Sequence, residues 1–211
     1  MIRQHKKMIL LTSAVTLLPV LIGLLLWKKL PDPVATHWGT GNQPNGYSSK
    51  ALAVFGIPVI LLLLHLLCVA VTNRDPRAKD MNKKIVRVVL WICPILSLAV
   101  CSSVYAYNLG YGFNIEFVCG LLIGVLYLIL GNFIPKIKQN HTIGFRVPWA
   151  LNDSDNWYHT HRFGGKCMLV GGIAMIVTSP LQNVWVLLVF AVIPCILPVI
   201  YSYLYYRKVV S

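Results

Sequence analysis

The chain has 211 residues, of which 57% are hydrophobic and 12% charged, and its mean hydropathy is +0.68. Soluble domains average about 45–50% apolar and about 25% charged residues, so a water-soluble enzyme domain is excluded. Nineteen Lys and Arg against six Asp and Glu leave a formal charge of +13. The basic residues fall between apolar runs, so membrane orientation and anionic lipid account for them better than direct nucleic-acid binding does.

Apolar runs bounded by charge cover residues 8–27, 51–71, 85–107, 115–134, about 163–181 and 184–206. Each is near the 17–25 residues, roughly, that a tilted membrane helix needs. The predicted class is therefore all-α, a polytopic membrane helical bundle of six transmembrane helices. The fifth run is the weakest, because Pro180 stops a short strongly apolar stretch. The first run follows a basic segment, but Trp27-Lys28-Lys29-Leu30-Pro31 offers no small-residue cleavage pattern, so it is expected to remain as a signal anchor.

Arg3, Lys6 and Lys7 precede the first run, and Arg74, Arg77, Lys79, Lys83, Lys84 and Arg87 surround the second connection. Lys136, Lys138, Arg146, Arg162 and Lys166 mark the fourth connection, and Arg207 and Lys208 the tail. Only Lys28, Lys29 and Lys50 fall on the opposite side, a bias of sixteen to three that predicts cytoplasmic N and C termini. The organisation read from this is residues 1–29 as the anchor helix, 30–50 as an extracytoplasmic loop and 51–134 as helices two to four. Residues 135–166 are a cytoplasmic loop with a short helix, and 167–211 are helices five and six with the tail.

Pro19, Pro58, Pro94, Pro194 and Pro198 lie inside four of the runs and predict kinks. Gly120 and Gly124 form a G-x-x-x-G, and Gly164 and Gly165 recur seven residues later as Gly171 and Gly172, which predicts close helix packing, within the bundle or between subunits. Six cysteines (Cys68, Cys93, Cys101, Cys119, Cys167, Cys195) sit in or beside apolar runs without a C-x-x-C pair, and read as small packing residues.

Catalytic apparatus is not visible: there is no H-E-x-x-H, G-x-S-x-G, Walker A or G-x-G-x-x-G, and six scattered carboxylates leave little for acid–base pairs. No cofactor or metal site is expected, since His159 and His161 point to different sides of a helix and only His141 could join them. His65 reads as an imidazole bonded to a neighbouring helix, or as a proton-linked group; Glu116 reads as an interfacial carboxylate at a helix N-terminus.

Two loops are more particular. The first, residues 30–50, has Pro and Gly positions that imply successive tight turns, with Asn45-Gly46 the strongest signal. It is either an interfacial tether or an outer cap presenting His37, Trp38, Tyr47 and Lys50 to a ligand. In the second loop, residues 142–149 alternate and predict an extended segment. Asp153 or Ser154 can cap a short helix running toward Gly164, on which Trp157 and His161, and Tyr158 and Arg162, are i, i+4 neighbours. The expected result is an aromatic and basic face, with Arg146, Trp149, Trp157, His161 and Arg162, lying on the inner leaflet or docking a partner.

Leu30-Pro31, His37-Trp38, Gly41, Pro44-Asn45-Gly46-Tyr47 and Ser49-Lys50 in the first loop resemble the domain of unknown function carried by the SdpI-like membrane proteins. Asn140, Ile143-Gly144-Phe145-Arg146, Pro148-Trp149, Trp157, Thr160-His161-Arg162 and Phe163-Gly164-Gly165-Lys166 are similar to that family's C-terminal motif. Asn45, Phe145 and His159 depart from the commonest residues of those motifs without removing them. The resemblance spans essentially the whole chain. It implies a plasma-membrane protein giving immunity to a secreted toxic peptide met on the outer face and, as in the family's best-known branch, signalling by holding a cytosolic transcriptional repressor at the membrane. A small transporter or exporter of the toxic molecule is the alternative, and few mid-membrane polar groups speak against it.

Overall fold

The structure is a computed structural model that describes residues 2–77, 82–112 and 114–210. Lys79 and Asp80, counted in the charge pattern above, lie outside them, as does the side chain of Arg3. Seven α-helices and one two-stranded hairpin follow in chain order: α1 (Ile2–Leu25), β1 (Val34–Trp38), β2 (Pro44–Ser48), α2 (Ile57–Arg74), α3 (Lys83–Asn108), α4 (Ile115–Phe133), α5 (Pro148–Asn152), α6 (Ser154–Thr178) and α7 (Val184–Val210). Among the described residues, six helical segments are long and apolar enough to cross a membrane. Such runs become helices because hydrocarbon offers no partner to a backbone N–H or C=O, so each must be satisfied within its own segment. The chain is thus an all-α, multi-pass membrane protein, as its composition predicts.

The fold divides into two compact units. The first comprises Met1–Asn73 with Val86–Val118, and the second Arg74–Ile85 with Cys119–Ser211.

In the first unit, helices are tied by a few buried hydroxyls and one imidazole. Thr12 Oγ1 lies 3.0 Å from His65 Nε2, so α1 and α2 are joined at depth. The Thr12 hydroxyl donates to the Met8 carbonyl at 2.9 Å, and its one proton being used there, His65 must carry its own on Nε2. His65 is therefore bonded to a neighbouring helix, as its place in the second apolar run suggests. Ser97 Oγ donates to the Thr16 carbonyl at 2.8 Å and Tyr105 OH to the Pro19 carbonyl at 3.2 Å, which fastens α3 to α1. Leu30, Val34, Ala53, Val54, Cys101, Val104 and Tyr105 form the buried cluster under the hairpin. Residues 52–56 make a π-helical turn before α2, burying Ala53 and Val54.

The second unit is held by close backbone approach. A Cβ on Gly165 would stand 2.4 Å from Pro135 Cγ and 2.8 Å from the Gly131 carbonyl, and one on Gly172 would stand 2.7 Å from the Gly124 carbonyl. The small residues thus bring α4 and α6 together inside one chain, deciding the choice left open by the G-x-x-x-G in favour of intramolecular packing. Pro194 cannot donate to the Phe190 carbonyl, and Gly171 lies against both of them, so the proline in α7 also serves as a packing surface for α6. Tyr127 OH donates to the Ala191 carbonyl, linking α4 to α7. The six cysteines are all free.

Two sequence expectations are corrected. The short helix of the second loop is not a separate element: it continues through Gly164 and Gly165 into the fifth span as the single 25-residue helix α6. Glycines that would break a solvated helix are retained here because Phe145 and Pro135 fill the space a side chain would take. Residues 142–149 are not extended either; they bend around the Asn140 side chain and enter α5 at Pro148, a residue suited to the first helical position.

Candidate functional site

The hairpin pairs Val34 with Ser48, Ala35 with Tyr47, His37 with Gly46 and Trp38 with Pro44, in antiparallel register with irregularities about His37. Its turn is not at Asn45-Gly46. Gly46 lies in β2 because a Cβ there would meet His37 Cβ at 2.8 Å, and the chain reverses through Thr40–Asn42, where Gly41 has φ +72° and Asn42 +59°. Gly39 N–H donates to the Gln43 carbonyl at 2.8 Å and closes the loop.

Asn108, the last residue of α3, holds this hairpin as a third strand would. Its Oδ1 accepts from Ala35 N–H at 2.9 Å and its Nδ2 donates to the Ala35 carbonyl at 2.9 Å. The tip is clasped at the start of α4. Gly41 N–H donates to Glu116 Oε1 at 3.1 Å, and Ile115 N–H donates to Asn42 Oδ1 at 2.8 Å. Neither Asn108 nor the Glu116 clasp follows from sequence reasoning, since both depend on partners more than seventy residues away. The available signal was a lone acidic residue opening an apolar helix. Glu116 is at that helix terminus, as expected, and its side chain is buried within the protein.

The four residues proposed for ligand contact have different surroundings. His37 is exposed, and its Nδ1 donates to Asn45 Oδ1 at 2.6 Å. Trp38 is half-buried and meets the Tyr107 ring edge-on at 5.0 Å. Tyr47 is 58% exposed. Lys50 turns inward at the hairpin's foot, where Nζ donates to the Trp27 carbonyl at 3.1 Å and stands over the Trp27 ring at 5.6 Å. It thereby covers an orphan carbonyl just past the end of α1.

In the second unit, Asn140 is buried and organises the loop. Oδ1 accepts from the Thr142 and Ile143 amides at 2.8 and 2.7 Å, and Nδ2 donates to the Lys138 and Ile143 carbonyls. These bonds satisfy locally the groups a strand would have paired across a ladder. Asp75 ties the loop from the other side: Oδ2 accepts from His141 N–H at 2.8 Å and the Thr142 hydroxyl at 2.7 Å, and Oδ1 from Arg77 N–H at 3.0 Å. Burial opposes the carboxylate charge, but the Thr142 hydroxyl and the Arg77 and His141 amides outweigh it and hold the Asp75 pKa below its ordinary value.

Trp157 and His161 lie beneath this loop, 4% and 1% exposed. The exposed aromatic face expected to include them is therefore corrected: they face the protein interior, where α6 packs. Trp157 Nε1 donates to the Ile137 carbonyl at 2.9 Å, and its ring stacks on His161 at 3.9 Å. His161 Nδ1 donates to the Trp157 carbonyl at 2.8 Å, and Nε2 accepts from Phe145 N–H at 3.1 Å. Both ring nitrogens are thus spent on the backbone. Gly144 has φ +114° and presses on His161, where a Cβ would fall 2.2 Å from Nε2, so only glycine suits the position.

Arg146 and Arg162 are exposed. Arg146 Nη1 donates to the His141 carbonyl at 2.9 Å, and Arg162 Nη1 donates to Tyr158 OH at 2.9 Å, its guanidinium over that ring. Trp149 is half-buried against Tyr203 and Tyr206 of α7. His159 is exposed and stacks on Tyr205, on a different side of α6 from His161. Among the described residues no three His, Cys, Asp or Glu side chains are grouped to hold a metal ion.

The SdpI/YfhL protein family matches residues 136–202, which hold the Asn140 loop, α5, α6 and most of α7. The domain of unknown function DUF1648 matches residues 14–62, which hold the second half of α1, the hairpin and the start of α2. The immunity protein SdpI of Bacillus subtilis (strain 168) is 29% identical over 206 residues, covering 94% of this chain and 96% of that protein. No solved structure matches the chain. The chain is thus a multi-pass plasma-membrane protein that is similar to the SdpI/YfhL protein family over residues 136–202 and to the immunity protein SdpI along nearly its whole length.

Proposed function

We propose that this chain is an immunity protein that protects its cell against a secreted antimicrobial peptide, met on the outer face by the hairpin between α1 and α2. The observation that carries the reading is the likeness to the immunity protein SdpI along nearly the full length of both chains. The sixteen-to-three split of basic residues supports an orientation with both termini cytoplasmic, the hairpin outside and the Asn140 loop inside. In that orientation His37 and Tyr47 make the outer contact, with Trp38 seated behind them. On the inner side Arg146 and Arg162 meet anionic lipid or a cytosolic transcriptional repressor, and Trp149 joins them. Trp157 and His161 position the loop rather than touch the partner. Signalling would require peptide binding to favour one of two arrangements of the protein.

The test is survival of a toxin-sensitive bacterium that expresses the chain and is challenged with the family's secreted killing peptide. A His37→Ala, Trp38→Ala variant is expressed alongside to the same level. Protection by the parent and its loss in the variant are expected; equal killing of cells with and without the parent refutes the reading.

A further inference from the structure

Glu116 is 7% exposed, and its two oxygens are unequally served. Oε1 accepts from Gly41 N–H at 3.1 Å, whereas Oε2 is buried and has no hydrogen-bond partner among the described residues. A carboxylate accepts about four hydrogen bonds, and burying one without a counter-charge is costly. The start of α4 favours negative charge, but two of its amides serve other oxygens: Ile115 N–H bonds Asn42 Oδ1, and Phe117 N–H bonds Asn114 Oδ1. One oxygen of Glu116 is left facing a need for a positively charged donor.

A second unpaired group lies at the same end of the hairpin. Trp38 Nε1 is buried without a partner among the described residues, and an indole N–H only donates. Trp38 ends β1, three residues before Gly41. The tip itself is open, since a Cβ at Gly41 would meet nothing within 4 Å. One carboxylate without further ligands does not make a metal cage, whereas an unpaired acceptor of cationic donors together with an unpaired donor complements an ammonium group borne beside a carbonyl. The amino terminus of a peptide has that chemistry.

We propose that Glu116 is a binding residue whose Oε2 receives the ammonium group at the amino terminus of a peptide, a carbonyl of the same peptide answering the indole N–H of Trp38. That the peptide is the killing peptide rests on the immunity reading. The amine-receiving role of Glu116 rests on its own geometry.

Glu116→Gln tests this, because it keeps an oxygen for Gly41 N–H and replaces the charged acceptor Oε2 with a neutral NH2 group that cannot receive an ammonium. In detergent without peptide the variant is expected to melt about 2–4 °C higher, an unpaired buried charge having been removed. A carboxylate already ion-paired within the folded protein would give a fall, which overturns the proposal. The family's killing peptide, synthesised with a free and with an acetylated amino terminus, then serves as the probe for binding to protein in nanodiscs. The wild type is expected to prefer the free form by about tenfold, and Glu116→Gln to bind both forms equally and weakly. Equal binding of the two forms by a wild type that still protects cells overturns the proposal and leaves the immunity reading standing. A wild type that neither binds nor protects overturns both.

Discussion

Replacing Asn108 with Ala should release the hairpin while leaving the helices folded. The substitution removes both bonds to Ala35, each 2.9 Å long, and Ala35 is buried. Leaving one buried backbone group unsatisfied costs about 1–3 kcal/mol, so losing two costs about 2–6 kcal/mol when the hairpin stays docked. Undocking returns both groups to water, and the hairpin's open population should therefore rise. A loss of about 3 kcal/mol corresponds to a rise of about a hundredfold. Hydrogen exchange read by mass spectrometry on hairpin peptides, with α1 and α3 peptides as internal references, measures this directly. Asn108→Asp keeps an acceptor for Ala35 N–H but loses the donor, and should fall between the two. Unchanged hairpin exchange in Asn108→Ala would refute the reasoning, and so would equal acceleration throughout α1 and α3.

Gly165→Ala should lower the melting temperature by about 4 °C or more, because the new methyl meets the Pro135 ring and the Gly131 carbonyl, neither of which can swing aside; an unchanged melting curve contradicts the packing described. The folded-state pKa of Asp75 lies below its ordinary value of 3.8, so its stabilisation of the Asn140 loop is complete at neutral pH and is lost only as pH falls through that lower value. Amide exchange at His141 and Thr142, corrected for intrinsic pH dependence, should stay slow from about pH 7 to about pH 5 and quicken below about pH 4. Asp75→Ala should make it fast throughout. His65→Leu should leave immunity intact, since the bond to Thr12 contributes only about 0.6 kcal/mol in a bilayer; loss of protection in a normally folded His65→Leu protein would favour proton-linked export instead.

The six long helices were legible because the bilayer imposes a length and a composition that few other constraints imitate. What escaped reading was decided by distant partners. Asn45-Gly46 carries a strong local turn signal, yet Gly46 is needed as a strand residue small enough to pass His37. Gly164 and Gly165 look like a break between loop helix and span until Phe145 and Pro135 are seen to occupy the space beside them. The i, i+4 spacing of Trp157 and His161 was visible, but their direction was set by the Ile137 carbonyl and the Phe145 amide. Asp75 with Thr142, and Glu116 with Gly41, pair residues more than sixty positions apart, where no periodicity points.

The unbroken course of α6 gives the second unit a mechanical property. Twenty-five residues at about 1.5 Å each make a rod of about 37 Å. It is pinned to α4 at two glycines, Gly165 and Gly172, about two helical turns apart. Two pins fix a crossing angle where one would allow rocking. Arg162 stands on the arm that carries the loop, just before the first of these pins. Met175 lies on the arm beyond the second glycine, buried against the rest of the unit.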